Sequence, residues 1–287
     1  MCWENRMVPV TPLIVAQDLS AVGRLSMTAA LPVYAAAQVP VAALPTTLLS
    51  TQTEGFGQPV KVDSQQWLRD CFAHWRRAKL SFSGAVVGYL GDERTISALS
   101  AQLEMLALPQ VVIDPVMADG GGLYPGLPMT YPEALVPLLN QATVMTPNWT
   151  ELQFLTGGSA SAQPTIAEVI ARIDRLRTRF SNVNQVVITG VPNQNRVLTV
   201  FDDHHRWDVA ATDRIAGHYY GAGDVFTAVL ASALWHGNTL AEAVFTAVDA
   251  TTTSILATRD SGIEPRFGMQ LGAALTQVQQ KIKPSDR

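Results

Sequence analysis

The chain has 287 residues, of which 47% are apolar and 15% charged, with 20 glycines and 17 prolines spread along its length. That composition excludes a disordered or collagen-like chain and allows a core of useful size. A formal charge of -4, from 20 basic and 24 acidic residues with only four lysines, supplies no cationic surface for nucleic acid.

Taken in chain order, the amino-terminal stretch after Arg6 is broken by Pro9, Thr11 and Pro12, so no export signal is expected. Cys2 and Cys71 form no CxxC spacing, and a reducing, cytoplasmic setting is the simplest expectation. Leu13 to Ala16 reads as the first strand. From Leu25 to Thr53 no residue is charged, a run long enough to cross a bilayer. Pro32, Gln38, Pro40, Pro45 and the polar string Thr46 to Thr51 interrupt it, which predicts a buried helix over Leu25 to Gln38 and a buried strand over Val41 to Leu44, with no membrane partner. Helices are then predicted over Ser64 to Ala78, Glu93 to Leu106, Pro132 to Gln141 and Ile166 to Phe180. Strands are predicted over Ala85 to Gly88, Val111 to Ile113, Thr143 to Met145 and Val186 to Thr189. These strands are rich in Val, Ile and Leu without polar alternation, as strands covered on both faces are. Their alternation with helices implies an α/β fold with parallel strands and right-handed crossovers.

After Thr189 the pattern changes. Arg196 to Phe201 and Arg206 to Val209, flanking Asp202-Asp203-His204-His205, predict a hairpin, and Val225 to Trp235, Leu240 to Ala257 and Gly268 to Ile282 predict three helices. No linker or repeat divides the chain, so a single domain over residues 1–287 is expected. In a doubly wound sheet, ligands sit at the carboxyl ends of the strands. Gln17-Asp18, Gly88-Tyr89, Asp114 to Gly122, Thr146 to Glu151 and Thr189-Gly190 all follow strand ends and should converge on one rim.

Three segments carry chemistry. Tyr220-Gly221-Ala222-Gly223-Asp224 leads into an apolar helix, where glycines let backbone N–H groups turn toward an anion. Asp224 there either complements the helix dipole or removes a proton from an incoming hydroxyl while the glycines hold a phosphoryl group. GxGxxG fails because position 226 is Phe226, and no lysine follows a glycine as a Walker A loop requires. Asp114-Pro115 with Asp119-Gly120-Gly121-Gly122 offers paired carboxylates for Mg²⁺, or else a strand end followed by an Asp-Gly turn. Asn148 and Glu151, in Thr146-Pro147-Asn148-Trp149-Thr150-Glu151, form a capping-box pattern, and the Glu could also face a metal-bound water. The five histidines at 74, 204, 205, 218 and 236 make no HExxH pair, and there is no GxSxG elbow.

Together and in this order the segments resemble the ribokinase superfamily, and within it the vitamin B6 kinases. DPVMADGGGLY is similar to their DPVMGDxGxLY, TPNWTEL to TPNxxEL, GAGD to GTGD, and Leu49 to Gly57 to FSNHTGYG; the likeness runs from Gln17 to about Phe226. It implies a three-layer sandwich whose mostly parallel central sheet carries helices on both faces. It also implies transfer of the ATP γ-phosphate to the 5′-hydroxymethyl group of pyridoxal, pyridoxine or pyridoxamine, in a cytoplasmic homodimer. By the same resemblance Asp224 is the base and Gly221, Ala222 and Gly223 the anion hole. Asp114, Asp119 and Glu151 fall in the Mg²⁺ and K⁺ environment, while Thr146, Asn148, Thr189 and Gly190 lie near the ATP phosphates. Val15, Thr53, Tyr89 and Tyr124 match positions lining the B6 pocket. Val15 replaces the family serine, Gln52 a histidine and Gly190 a serine. Gln17-Asp18 is similar instead to the GSDSSGG loop of the hydroxymethylpyrimidine kinases, the alternative enzyme; a catalytically idle B6- or nucleotide-binding protein is the non-enzymatic one. Sugar kinases insert a β lid for which Gln58 to Ser64 is too short.

Overall fold

The computed structural model describes residues 10–157 and 162–283. Cys2, Arg6 and Pro9, and with them most of the expectation about an export signal, lie outside the described residues.

The elements in order are β1 Leu13–Ser20, α1 Met27–Ala36, β2 Val41–Leu49, β3 Lys61–Asp63, α2 Gln65–Arg77, β4 Gly84–Val87, α3 Glu93–Glu104, β5 Val111–Ile113, β6 Ala118–Asp119, β7 Gly122–Leu123, α4 Tyr131–Ala134 and α5 Val136–Leu139. They continue with β8 Val144–Met145, α6 Trp149–Thr156, α7 Ile166–Arg179, β9 Gln185–Asn193, β10 Arg196–Asp203, β11 Arg206–Asp213, α8 Ala222–Trp235, α9 Leu240–Asp260 and α10 Gly272–Lys281, with a 3₁₀ turn at Pro265–Phe267. A nine-stranded sheet runs β11-β10-β9-β8-β5-β4-β1-β2-β3, and β6 and β7 form a small separate hairpin. The six central strands pair in parallel, while β3, β10 and β11 pair antiparallel at the two edges.

The expected strand and helix succession is present, but β2 runs on to Leu49 and β11 to Asp213, the last helix starts only at Gly272, the β6–β7 hairpin is additional, and there are three further differences. The helix expected over Pro132 to Gln141 is two short helices, because Pro137 has no N–H to continue the first. β9 runs past Thr189 to Asn193, since it also pairs with β10. The segment too short for a lid still contributes β3, one exposed edge strand.

Two apolar clusters cover the two faces of the sheet. One packs α2, α3, α5, α6 and α7 against Ile14, Ala85, Ile113 and Ile188; the other packs α1, α8, α9 and α10 against Leu13, Val86, Val112 and Val187. α8 is buried from Val225 to Leu234, so its sequence has no polar face to show. The uncharged run is divided as expected into α1 and β2. α9 is the one described helix long and apolar enough to cross a membrane by length and composition. It is a core helix, packed between α8 and α10.

β1 has β2 on one side and β4 on the other, both parallel to it, so the order in which strands are added reverses there. The ladder between β1 and β2 breaks register between Gln17 and Leu19, and that between β9 and β10 breaks between Leu198 and Val200. Register breaks re-aim side chains. Both of these lie beside the site, where Asp18, Thr189, Gly190 and Thr199 reach the same cavity.

Candidate active site

A cavity of about 390 Å³ opens at the carboxyl ends of the parallel strands. It is large enough for a small heteroaromatic ring beside phosphates. Every predicted site residue lines it except Val15: Asp114, Asp119, Glu151 and Asp224; Thr53, Tyr89 and Tyr124; Thr146, Asn148, Thr189 and Gly190; and Gly221, Ala222 and Gly223. Val15 is the correction. It is fully buried in the β1 core, pointing into the cluster with Val86 and Val225, because the strand still alternates regularly at that point.

Gly221 caps α8 in the left-handed conformation, φ 91° and ψ 0°. A side chain there would be strained and would press on the Arg24 carbonyl and on Leu25 at 3.1 Å. The N–H of Ala222 bonds the Tyr219 carbonyl and that of Val225 the Gly221 carbonyl. The N–H groups of Gly223 and Asp224 have no backbone acceptor among the described residues, so the helix start offers two donors at its positive end. Asp224 follows immediately, partly buried, with Oδ2 accepting from the Ser26 N–H at 2.7 Å. Burial pushes its carboxyl up to about 6, against the pull of that N–H. Ser26 holds φ at 48°, a strained value for serine, at the point where its N–H meets Asp224.

One helical turn after Asp224, Thr227 donates its hydroxyl to Asp114 Oδ2 at 2.9 Å and lies 3.3 Å from the Thr146 hydroxyl. Burial, together with the Asp224 charge, raises the Asp114 carboxyl to about 8 despite the Thr227 bond. Among the described residues no ion pair reaches Asp18, Asp114, Glu151 or Asp224, and no lysine or arginine lines the cavity.

The three-carboxylate metal set does not assemble. Glu151 spends one oxygen on the N–H of Met117 and, at longer range, that of Ala118, and the other on that of Asn148. It completes the capping box of α6, as its spacing allowed, and burial pushes its carboxyl well above the usual range. Asp119 is exposed, caps the N–H of Gly120 and faces His218 at 3.9 Å. Among the described residues no group of three or more His, Cys, Asp or Glu is placed to hold a metal ion. Asp114, whose Oδ1 makes no protein hydrogen bond among the described residues, is the carboxylate available for a hard cation. That fits Mg²⁺, which takes one or two carboxylates and fills its remaining positions with water and phosphate oxygens.

The far end of the cavity was not legible in the motifs. Thr199 of β10, Thr212 of β11, and Val248, Thr251 and Ile255 of α9 form a mixed apolar and hydroxyl-bearing wall. The sequence signal was slight: Thr251 lies in the polar run Thr251-Thr252-Thr253-Ser254, while Thr199 stands in an otherwise apolar strand. Thr227, three residues after Asp224, carried the same kind of signal. At the opposite end Tyr89, held by burial and the neighbouring Asp18 and Asp92 charges at about 12, stays a neutral hydroxyl, as does Tyr124.

These buried carboxyls predict an unusual pH dependence of stability for protein without ligand. Asp18, Asp114 and Asp224 bind protons more tightly folded, at about 7, 8 and 6, than unfolded at 3.8. Their protonated forms stabilise the fold fully below pH 3.8, and that contribution is lost as pH rises through 6 to 8. In metal-free buffer, calorimetry should therefore show Tm falling from pH 5 to 8, and Asp114→Asn should flatten the slope.

The sequence model of the phosphomethylpyrimidine kinase family matches residues 27–266. The pyridoxine/pyridoxal/pyridoxamine kinase of Bordetella bronchiseptica is 31% identical over 254 residues, covering 84% of this chain and 87% of that one. The crystal structure of pyridoxal kinase from Lactobacillus plantarum superposes with a TM-score of 0.87 at 36% identity, over 94% of this chain and 97% of that one. A Bacteroides thetaiotaomicron protein described as a phosphomethylpyrimidine kinase, in a crystal form with pyridoxal, superposes at 0.88 with 28% identity over 97% and 98%. Likeness over nearly the whole length, in sequence and in fold, places the chain in the phosphomethylpyrimidine kinase family, in the pyridoxal kinase group of the ribokinase-like superfamily.

Proposed function

We propose that the chain is a pyridoxal kinase, transferring the γ-phosphate of ATP to the 5′-hydroxymethyl group of pyridoxal, pyridoxine or pyridoxamine in vitamin B6 salvage. The observation that carries this reading is the start of α8. There a carboxylate tuned to about 6 stands beside two unbonded N–H groups and one helical turn from the Thr227–Asp114 pair. In such a transfer the protein mostly positions and neutralises charge, and one base handles the proton.

The roles divide along the cavity. Thr53, Tyr89 and Tyr124 border the ring of the acceptor alcohol, whose hydroxyl gives its proton to Asp224. The N–H groups of Gly223 and Asp224 receive the transferring phosphoryl oxygens, where a fixed dipole needs no reorganisation. Thr146, Asn148, Thr189 and Gly190 flank the remaining phosphates, and the wall of Thr199, Thr212, Val248 and Ile255 receives the nucleobase. Mg²⁺, when bound, neutralises charge on the phosphates, and Asp114 is the residue that would hold it. The proposal extends to a K⁺ requirement, a cytoplasmic location and a homodimer, the last read by sedimentation.

A steady-state assay with ATP and each B6 alcohol tests the activity; absence of the 5′-phosphate ester with all three would overturn it. Hydroxymethylpyrimidine is the second acceptor to assay, because the matching family model is named for phosphomethylpyrimidine kinase. A higher kcat/KM for that alcohol would transfer the assignment to thiamine synthesis. Binding of ligands without any turnover would leave the non-catalytic reading.

Asp114→Asn should raise the Mg²⁺ concentration needed for half-maximal rate by roughly tenfold or more. It should also remove most of the Tm gain that Mg²⁺ adds to ADP.

A further inference from the structure

The loop joining β2 to β3 brings Gln52, Thr53 and Glu54 to the cavity wall, yet it does not hold itself in place. Among the described residues, no backbone group from Thr51 to Pro59 bonds another backbone group. Gly55 and Gly57, both at φ 77°, add freedom of their own. Among the described residues, every hydrogen bond and ring contact that ties this loop to the rest of the protein ends on Arg266 or Phe267, in the 3₁₀ turn after α9.

The geometry is that of a clasp. The Gln52 side-chain amide donates to the Arg266 carbonyl at 2.7 Å, and Arg266 Nη1 donates back to the Gly55 carbonyl at 2.9 Å. The guanidinium carbon lies 4.7 Å from the centre of the Phe56 ring and 5.6 Å from that of Phe267, and the two rings meet edge to face at 5.2 Å. Nε donates to Glu264 at 2.5 Å, which fixes the plane of the fork. A lysine could keep the charge but not all of these contacts. Arg266 does not line the cavity, and its side chain is 41% exposed, so neither substrate contact nor core packing accounts for the arrangement. The same turn also receives the Arg24 N–H on the Phe267 carbonyl, so both loops at this end of the cavity are fastened to it.

We infer that Arg266 is a positioning residue for the acceptor alcohol, clasping the loop so that Thr53 and Glu54 stand where the acceptor meets them. This rests on the reading of that end of the cavity as the acceptor's. A clasped loop is ordered before the ligand arrives; a released one must be ordered by it, and that cost falls on the acceptor and not on ATP.

In Arg266→Ala, KM for the B6 alcohol should rise about tenfold, the lower end for a hydrogen bond to a charged group because the guanidinium is partly exposed. KM for ATP should stay within about twofold, as expected when only acceptor binding is lost. Arg266→Lys should recover part of the loss. Phe56→Leu should raise the same KM, and combining it with Arg266→Ala should add little, because both open one clasp. An independent readout is cleavage after Glu54 by a glutamate-specific endoproteinase in the folded, ligand-free protein, followed by mass spectrometry. It should accelerate in Arg266→Ala and not in Arg259→Ala, which also removes an exposed, ion-paired arginine. Unchanged cleavage after Glu54, an equal rise of both KM values, or fully multiplicative effects of the two substitutions overturns the inference. If the unmodified protein phosphorylates no B6 alcohol, the acceptor reading fails instead, and the cleavage rate still decides whether Arg266 holds the loop.

Discussion

Asp224→Ala should lower kcat by roughly 10²- to 10⁴-fold, the range for loss of a positioned general base. KM for ATP should change little. Asp224 is joined to the protein by one bond, from the Ser26 N–H to Oδ2, and by no ion pair among the described residues, so its removal leaves the packing of α8 intact. The pH profile separates a base from a dipole-complementing carboxylate. A base acts only when ionised, so kcat/KM of the unmodified protein should fall as pH drops through about 6. In Asp224→Ala that acid limb should vanish, and only the slow, pH-insensitive residue of the rate should remain. A variant that keeps full turnover, or the same acid limb, assigns the proton transfer elsewhere.

The second large effect is expected far from the phosphates. At Gly268, φ is +81°, and a Cβ would stand 2.1 Å from the carbonyl oxygen of Arg24 and 2.5 Å from its carbon. Both are backbone atoms, so no side chain can swing aside. That contact is part of a tie in which the Arg24 N–H donates to the Phe267 carbonyl and the Met269 N–H to the Arg24 carbonyl. Gly268→Ala must open it, which also displaces Ser26 from Asp224. The cost should be about 4 kcal/mol or more, the exceptional end of single substitutions, with kcat/KM falling alongside Tm. Gly262→Ala is the control, since its φ is +67° but nothing lies within 4 Å of the added atom. Its cost should be only the ~1–2 kcal/mol of a left-handed residue, and denaturation of the two variants in parallel isolates the clash.

Much of this molecule could be read before its coordinates, and the reasons differ by element. The central strands were legible because both faces are covered, which forces unbroken Val, Ile and Leu. Glu151 could be read in two ways from its spacing, and only the geometry shows that both oxygens serve backbone N–H groups. Val15 was misplaced because motif alignment counts residues, whereas a strand turns alternate ones away from the site. Asp18 stood in the right loop but had no assigned role, since a register break that aims a side chain leaves no mark in composition. The wall formed by Thr199, Thr212 and Thr251 is assembled from three distant segments, and no local pattern announces such a meeting.

The tie between Arg24 and residues 267–269 also bears on how the molecule is made. β1 precedes every other described strand and lies inside the sheet between β2 and β4, yet the loop that follows it is held by residues 267–269, far later in the chain. Closing a loop that spans most of the chain is entropically expensive and slow. During synthesis, Ser26 therefore has no fixed position until Gly268 has emerged. A nascent chain arrested before that residue should have a nearly complete sheet and no competent acceptor end, so ligand-induced protection from proteolysis should begin only when the chain extends beyond Met269.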